Sequence, residues 1–351
     1  MGGYRSRLAT LIAFDFSQSD WRDAIRGSII TAAVTIVPVM QGDLAQAIPL
    51  SIGAAFVAVS ESGQPFGQRW RTMLWTTAIL MVAVGLGSAL SDAYLLAIVA
   101  TAFLAFTCGA IGFLGRRAAV AGLLGLVLFS IYVGVPVPLD DAFTSAALIG
   151  LGGIIQTVAS VFMGLIRNQH RLVQPRPENR PPLSDLWNGQ HTFLAHGIRL
   201  AILMTIATTI SESLSVPHPY WLPMSVAWMS KPDHDGTVVR VLHRIVGTVI
   251  GLLVSFVVVI AFRPSDGQFL PLAILGAAIA IAFIWANYAV AVAGVTIWVV
   301  SLFAMVGDPV ITTMDARLLA TFAAGLMVLI ATWITDWWTG RTATARSLPP
   351  G

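Results

Sequence analysis

Charge is what this sequence has least of. Only 11% of its 351 residues are Asp, Glu, Lys or Arg, where an ordinary soluble chain carries about 25%. So few charges cannot cover a soluble protein of this size, and 56% of the residues are hydrophobic. A soluble all-helical protein with a large core is excluded. Many apolar stretches reach the ~20 residues needed to cross a bilayer. The composition fits an all-α polytopic membrane protein. Cysteine is nearly absent too. The single one, Cys108, sits inside an apolar run. That excludes an intramolecular disulfide, a cysteine cluster and an iron–sulfur site. The sequence also lacks a Walker motif, an HExxH and a nucleophile elbow. No enzymatic activity, cofactor, metal site or ATP-driven step is expected. The net charge of +3 is small, and no nucleic-acid partner is expected.

What is present is a series of apolar runs. The N-terminal segment, 1–21, holds a short apolar stretch at 8–14 followed by Asp15 and Asp20. That run is too short for a cleavable signal and suits an interfacial helix. Spans are expected at 26–40, 45–60, 70–90, 93–112, 117–134 and 142–166, forming a first membrane unit over 22–166. A Pro/Arg-rich linker covers 167–193 and has no composition for a packed core. A second unit over 194–338 holds spans at 194–214, 219–230, 239–262, 268–286, 288–306 and 316–338. A polar tail, 339–351, is expected to fray. The spans 45–60 and 219–230 look short, as tilted, broken or re-entrant helices do.

Arginine and lysine favour one side of this arrangement. Arg69, Arg71, Arg116, Arg117, the linker, Lys231, Arg240, Arg244, Arg341 and Arg346 all fall there, with Arg263 and Arg317 as exceptions. The positive-inside rule then puts both termini in the cytoplasm. The two units also share sequence marks. Ile25-Arg26 and Ile198-Arg199, Gly63 and Gly236, Arg71 and Arg244, Val133-Gly134 and Val306-Gly307, and Gly152 and Gly325 are each 173 residues apart. A duplication is expected. Six spans per unit make the repeats parallel, related by an axis along the membrane normal.

The most unusual stretch is 220–251. An aromatic-tipped apolar run leads into the polar turn Lys231-Pro232-Asp233-His234-Asp235-Gly236, then into Arg240, His243, Arg244 and a glycine-spaced helix. A weaker copy lies upstream, with Ser60-Glu61-Ser62-Gly63 as its turn and Arg69 and Arg71 as its cations. Charges beside a span invite a functional reading. Arg71, Arg240 and Arg244 either hold helix ends in the cytoplasm or form a basic vestibule for an anion, with Arg71 facing Arg244 across the pseudo-two-fold axis. Asp233 and Asp235 read as turn formers and helix caps, or with Glu61 as gating partners of those arginines. Asp233, His234 and Asp235 offer metal ligands, but nothing nearby in sequence completes a sphere. Glu212 is either interfacial or a proton-coupling carboxylate. Tyr220, Trp221 and Trp228 are interfacial aromatics or a wall for a flat substrate. The in-span glycines suit close helix packing.

The strings HGIRLAI from residue 196, PHPYWLPMSV from 217 and KPDHDGTVVRVLHRIVGTVIG from 231 resemble the membrane domain of the fusaric acid resistance family. That family includes bacterial aromatic acid exporters and is similar to plant aluminium-activated malate transporters. The resemblance covers 194–338 and, more weakly but in register, 22–166. It implies an inner-membrane secondary transporter that exports small organic anions, aromatic carboxylates among them. Tyr220, Trp221, Asp233, Gly236, Arg240, Arg244 and Gly247 are the motif positions it carries over. Two features depart from the pattern. Larger members have sizeable cytoplasmic regions after each membrane half, and the first half here has Gln46-Ala47 where a Tyr-Trp pair would stand. A passive organic-anion channel and a non-transporting scaffold with a lipid-binding basic face are the other readings. The expected partners are the organic anion and membrane lipids, with room for a homo-oligomer.

Overall fold

A computed structural model describes residues 9–16, 21–61, 66–167 and 192–346, without side chains for 66, 192, 266, 336 and 338–346. Most of the expected linker, the start of the N-terminal segment, Ser62 and Gly63 of the upstream turn, and the last five residues lie outside these. Every regular element among the described residues is helical. After a short helical turn at 9–12, the order is α1 (Trp21–Met40), α2 (Leu44–Glu61), α3 (Phe66–Leu90), α4 (Tyr94–Ala110), α5 (Arg116–Val133) and α6 (Leu139–Ile166). Then come α7 (Thr192–Ser213), α8 (Trp221–Met229), α9 (His234–Phe262), α10 (Leu270–Phe283), α11 (Tyr288–Met305) and α12 (Val310–Arg346).

Among the described residues, ten helices are long and apolar enough to cross a membrane. The protein is a polytopic all-α membrane protein. Its outer surface shows why. Ile198, Ile202 and Ile206 on α7 and Leu319, Phe322, Leu326, Ile330 and Trp333 on α12 are large, apolar and exposed at helical spacing. Water would not tolerate such stripes, and lipid does. Inside, hydroxyls bond back to their own helix: Thr35 donates to the Thr31 carbonyl, Thr157 to Gly153 and Thr321 to Arg317. These three hydroxyls are thereby satisfied without water.

The helices before and after the linker interlock. α4 packs on α7, α10 on α1, and α5 on α8. One core joins Leu126 and Val127 of α5 to Met204 of α7 and Trp221 of α8; another joins Ala55 and Ala58 of α2 to Ala277 and Trp298 of α10 and α11. Glycine allows two of the closest approaches. A Cβ at Gly247 would strike the Ala289 carbonyl, and one at Gly152 would strike that of Leu50. Two boundaries differ from expectation. α12 starts at Val310 and continues to Arg346, past the expected frayed start of the tail. The expected span 268–286 is a 3-10 turn, Asp266–Phe269, followed by a helix that ends at Phe283.

Candidate functional site

The site is built on the shortest helix. α8 has nine residues, about 13.5 Å at 1.5 Å per residue, too short to cross a bilayer. Eight of the nine are buried, so the broken helix lies within protein rather than lipid, as unpaired backbone requires. Its approach is set by Pro217 and Pro219 flanking His218, whose φ of 52° is left-handed. The His218 carbonyl accepts the Trp221 N–H at 3.0 Å. The His218 ring stacks on Trp221 (4.4 Å between centroids) and lies 4.3 Å from Phe303. Its Nε2 is 3.3 Å from Asp308 and its Nδ1 is 3.3 Å from the Tyr220 hydroxyl. Burial, with Arg317 acting the same way, lowers the His218 pKa below the usual histidine value against the opposing pull of Asp308.

α8 ends at the extended Ser230. Thr237 then ties the turn down, donating to the carbonyls of Lys231 (3.1 Å) and Asp233 (2.7 Å). Asp233 caps α9, its Oδ2 accepting the Gly236 N–H at 2.6 Å, and Asp235 lies in the first helical turn. Both aspartates are exposed and favour the positive end of the helix. Neither lines the cavity described next.

Trp221, Met224 and Trp228 recur every three to four residues, so they share one face of α8. That face borders a cavity of about 420 Å³, within the range of small-molecule sites. Its wall is aromatic and aliphatic: Phe56, Tyr132, Tyr220, Trp221, Trp228, Tyr288 and Trp298 line it, with aliphatic residues of α2, α5 and α11 between them. Two cations enter this wall, Arg244 from α9 and Arg317 from α12. Arg244 is 2% exposed and Arg317 0%. The Arg244 guanidinium carbon lies 6.0 Å from the Trp228 ring, and that of Arg317 lies 5.1 Å from the Trp221 ring. Arg244 Nη1 donates to the Tyr288 hydroxyl at 3.3 Å. Arg244 Nε and Nη2 and all three Arg317 nitrogens have no protein hydrogen-bond partner. No carboxylate is among the lining residues. Below the cavity, Arg240 stacks on the Tyr288 ring at 3.3 Å and its Nε donates to the Trp228 carbonyl at 3.3 Å.

The structure thus gathers Tyr220, Trp221, Trp228 and Arg244 around one cavity, with Arg240 immediately beneath. It does not bring Arg71 there. Arg71 is exposed on α3, 5.3 Å over the Trp70 ring, so it does not face Arg244 across a shared vestibule. Successive helix positions turn by 100°. Arg69 and Arg71, two apart, therefore point to nearly opposite sides. Glu212 is exposed near the end of α7 and does not line the cavity. Glu61 is 1% exposed and held in a different cluster. It is paired with Arg26, lies 3.1 Å from Arg69 and accepts from Ser160 at 2.7 Å. Asp23 completes that cluster, 2.8 Å from both arginines. Among the described residues, no group of three His, Cys, Asp or Glu side chains is placed to hold a metal ion.

Sequence reasoning missed Arg317, Tyr288 and Trp298 as lining residues. Arg317 had left a signal: it is one of two exceptions to the expected one-sided placement of the cations. Tyr288 and Trp298 lie in a helix whose rotation no local pattern fixes.

Residues 206–331, which contain every cavity residue from α8 to α12, match the model of the fusaric acid resistance protein-like family. This part of the chain, about a third of it, is similar to that family. Among its relatives, an uncharacterized protein of Synechocystis is 30% identical over 42% of this chain and 20% of its own. An uncharacterized protein of Neisseria gonorrhoeae is 25% identical over 47% of this chain and 37% of its own. The Escherichia coli inner membrane protein YccS is 27% identical over 48% of this chain and 26% of its own. The chain therefore spans well under half the length of these relatives. No solved structure matches it.

Proposed function

We propose that the protein is a secondary transporter that moves small organic anions, aromatic carboxylates among them, out of the cell across the inner membrane. One observation carries this reading. Two fully buried guanidiniums project into an aromatic cavity with five nitrogens lacking protein partners. A buried unpaired charge costs several kcal/mol, so a bound anion is the natural complement. A guanidinium fork fits a carboxylate, and the tryptophans fit a flat apolar body. Arg244 and Arg317 are the anion ligands, Tyr220, Trp221, Trp228 and Tyr288 the wall, and the Arg240–Tyr288 stack the floor.

The inner membrane suits a relative of YccS with ten candidate spans. Cytoplasmic termini follow from the arginine distribution. Two parallel six-helix repeats are supported by paired packing: α3 meets α6 and α5 as α9 meets α12 and α11, and α4 meets α7 as α10 meets α1.

The test is flux of labelled 4-hydroxybenzoate in proteoliposomes, with and without a pH gradient. Gradient-driven, saturable flux is expected, lost in Arg244→Ala and in Arg317→Ala and kept in Arg71→Ala. Flux that ignores the gradient and does not saturate would make the protein a channel. No flux of a panel of organic anions would overturn transport and leave a scaffold.

A further inference from the structure

The charge count of the cavity says more than its affinity for an anion. Resting on the reading of this cavity as an organic-anion site, we infer that its preferred ligand is an aromatic dianion, with one anionic group at Arg244 and a second at Arg317. The two arginines reach the cavity from different helices, α9 and α12. Arg244 lies beside Trp228 and Arg317 beside Trp221. Those tryptophans are seven residues apart on one face of α8, about 10 Å along its axis. The two guanidiniums are thus set against different rings of one apolar slot, near enough to feel each other's charge. Trp221, Met224 and Trp228 form its wall along α8, with Val292, Val295 and Val299 of α11 also lining it.

The two guanidiniums are equally short of negative charge. Arg317 has no protein partner for any of its nitrogens, and Arg244 has only the Tyr288 hydroxyl. The nearby carboxylate of Asp308 is engaged by His218 and does not line the cavity. Arg240, the third cation of the region, is occupied by the Tyr288 ring and the Trp228 carbonyl. A monoanion neutralises one guanidinium and leaves the other buried and bare. A rigid dianion with charges at opposite ends of a flat body neutralises both and fills the apolar middle. An aliphatic dianion of similar length meets the charges and forfeits the stacking.

The experiment is ligand binding to the purified full chain in detergent, read by tryptophan fluorescence and by thermal shift. Three probes separate charge from shape: benzene-1,4-dicarboxylate, 4-methylbenzoate (near the same shape, one charge) and glutarate. The dicarboxylate is expected to bind about tenfold or more tighter than 4-methylbenzoate, since a second charged hydrogen-bonded contact is gained. It is also expected to exceed glutarate. Arg317→Gln and Arg244→Gln should each cut dicarboxylate affinity by about tenfold and shrink its advantage over 4-methylbenzoate to within about threefold. Arg317→Lys, which keeps the charge, should retain most of the advantage and shows that the fold survives. Equal affinity for the dicarboxylate and 4-methylbenzoate would overturn the dianion inference while leaving the anion site standing. Arg317→Gln with an unchanged preference would do the same. No binding of any of the three would bring down the anion site itself.

Discussion

The protein buries two clusters of arginines, one in each half, and treats them in opposite ways. In the first half, Arg26 and Arg69 meet Asp23 and Glu61, and Ser160 completes the carboxylate's hydrogen bonds. Arg26 and Arg69, with Arg167 3.9 Å from Asp23 at the edge, face two anions, and the helix ends of α1, α2 and α3 are tied to each other. In the second half, Arg244 and Arg317 meet tryptophans, a tyrosine hydroxyl and a cavity lined by no carboxylate. The same side chain is thus structural where the chain supplies its own carboxylates, and a binding group where the chain withholds them. The pairing, not the burial of an arginine, separates the two roles.

The contrast breaks most visibly on the first side. Glu61→Ala removes one of the two anions shared by Arg26 and Arg69 and leaves Asp23 alone to offset both. A loss of about 3–5 kcal/mol is expected, seen as a fall in melting temperature and in yield of folded protein. Removing a cation from the second cluster should have no such effect.

A second change makes the second cluster resemble the first. Val295 lines the cavity, and Val295→Glu places a carboxylate opposite its arginines. Affinity for 4-hydroxybenzoate should fall about tenfold or more, because the protein now carries its own competitor, while thermal stability holds. Binding titration and a melting curve on one preparation check both halves of the statement.

How far this contrast could be read beforehand depends on the residue. The apolar runs were legible because their length alone sets the spans, and the broken α8 was foreshadowed by a run too short to cross. Tyr220, Trp221, Trp228 and Arg244 lie within 25 residues of each other, so one motif held them all. Arg317 and Tyr288 reach the cavity from helices 73 and 44 residues beyond Arg244, and helix rotation, absent from any local pattern, decides which face they present. The same rotation misled at Arg71. Two positions upstream, Arg69 turns inward to Glu61, while Arg71 turns outward over Trp70. Glu61 looked like a gate because a carboxylate at a span end is costly. Its cost is met by two arginines and a serine, which a sequence does not display.

The aromatic side of the second cluster offers a smaller test. Trp228→Ala removes the ring beside Arg244 and part of the wall. Affinity for an aromatic anion should drop about 3- to 10-fold, while that for an aliphatic one changes little. Equal losses for both would mean that the ring positions Arg244 rather than stacking on the ligand.

The smallest effect concerns His218, at the mouth of α8. Its pKa is lowered in the fold, chiefly by burial, so the folded state binds fewer protons than the unfolded one just below the usual histidine value of about 6.5. Stability contributed by neutral His218 is present above that value and is lost as pH falls toward the lowered one. The melting temperature should decline slightly more on acidification from pH 7 to 5 in the wild type than in His218→Asn.

The central claim is that Arg317 is buried without a partner because an anion supplies one. The most direct measurement is the melting temperature of Arg317→Met against wild type, each with and without saturating 4-hydroxybenzoate. The account expects Arg317→Met to melt at or above the wild type without ligand, and expects the ligand to raise the wild type and leave the variant nearly unmoved. A variant that melts far below the wild type without ligand, or that gains as much from the anion as the wild type does, would contradict it.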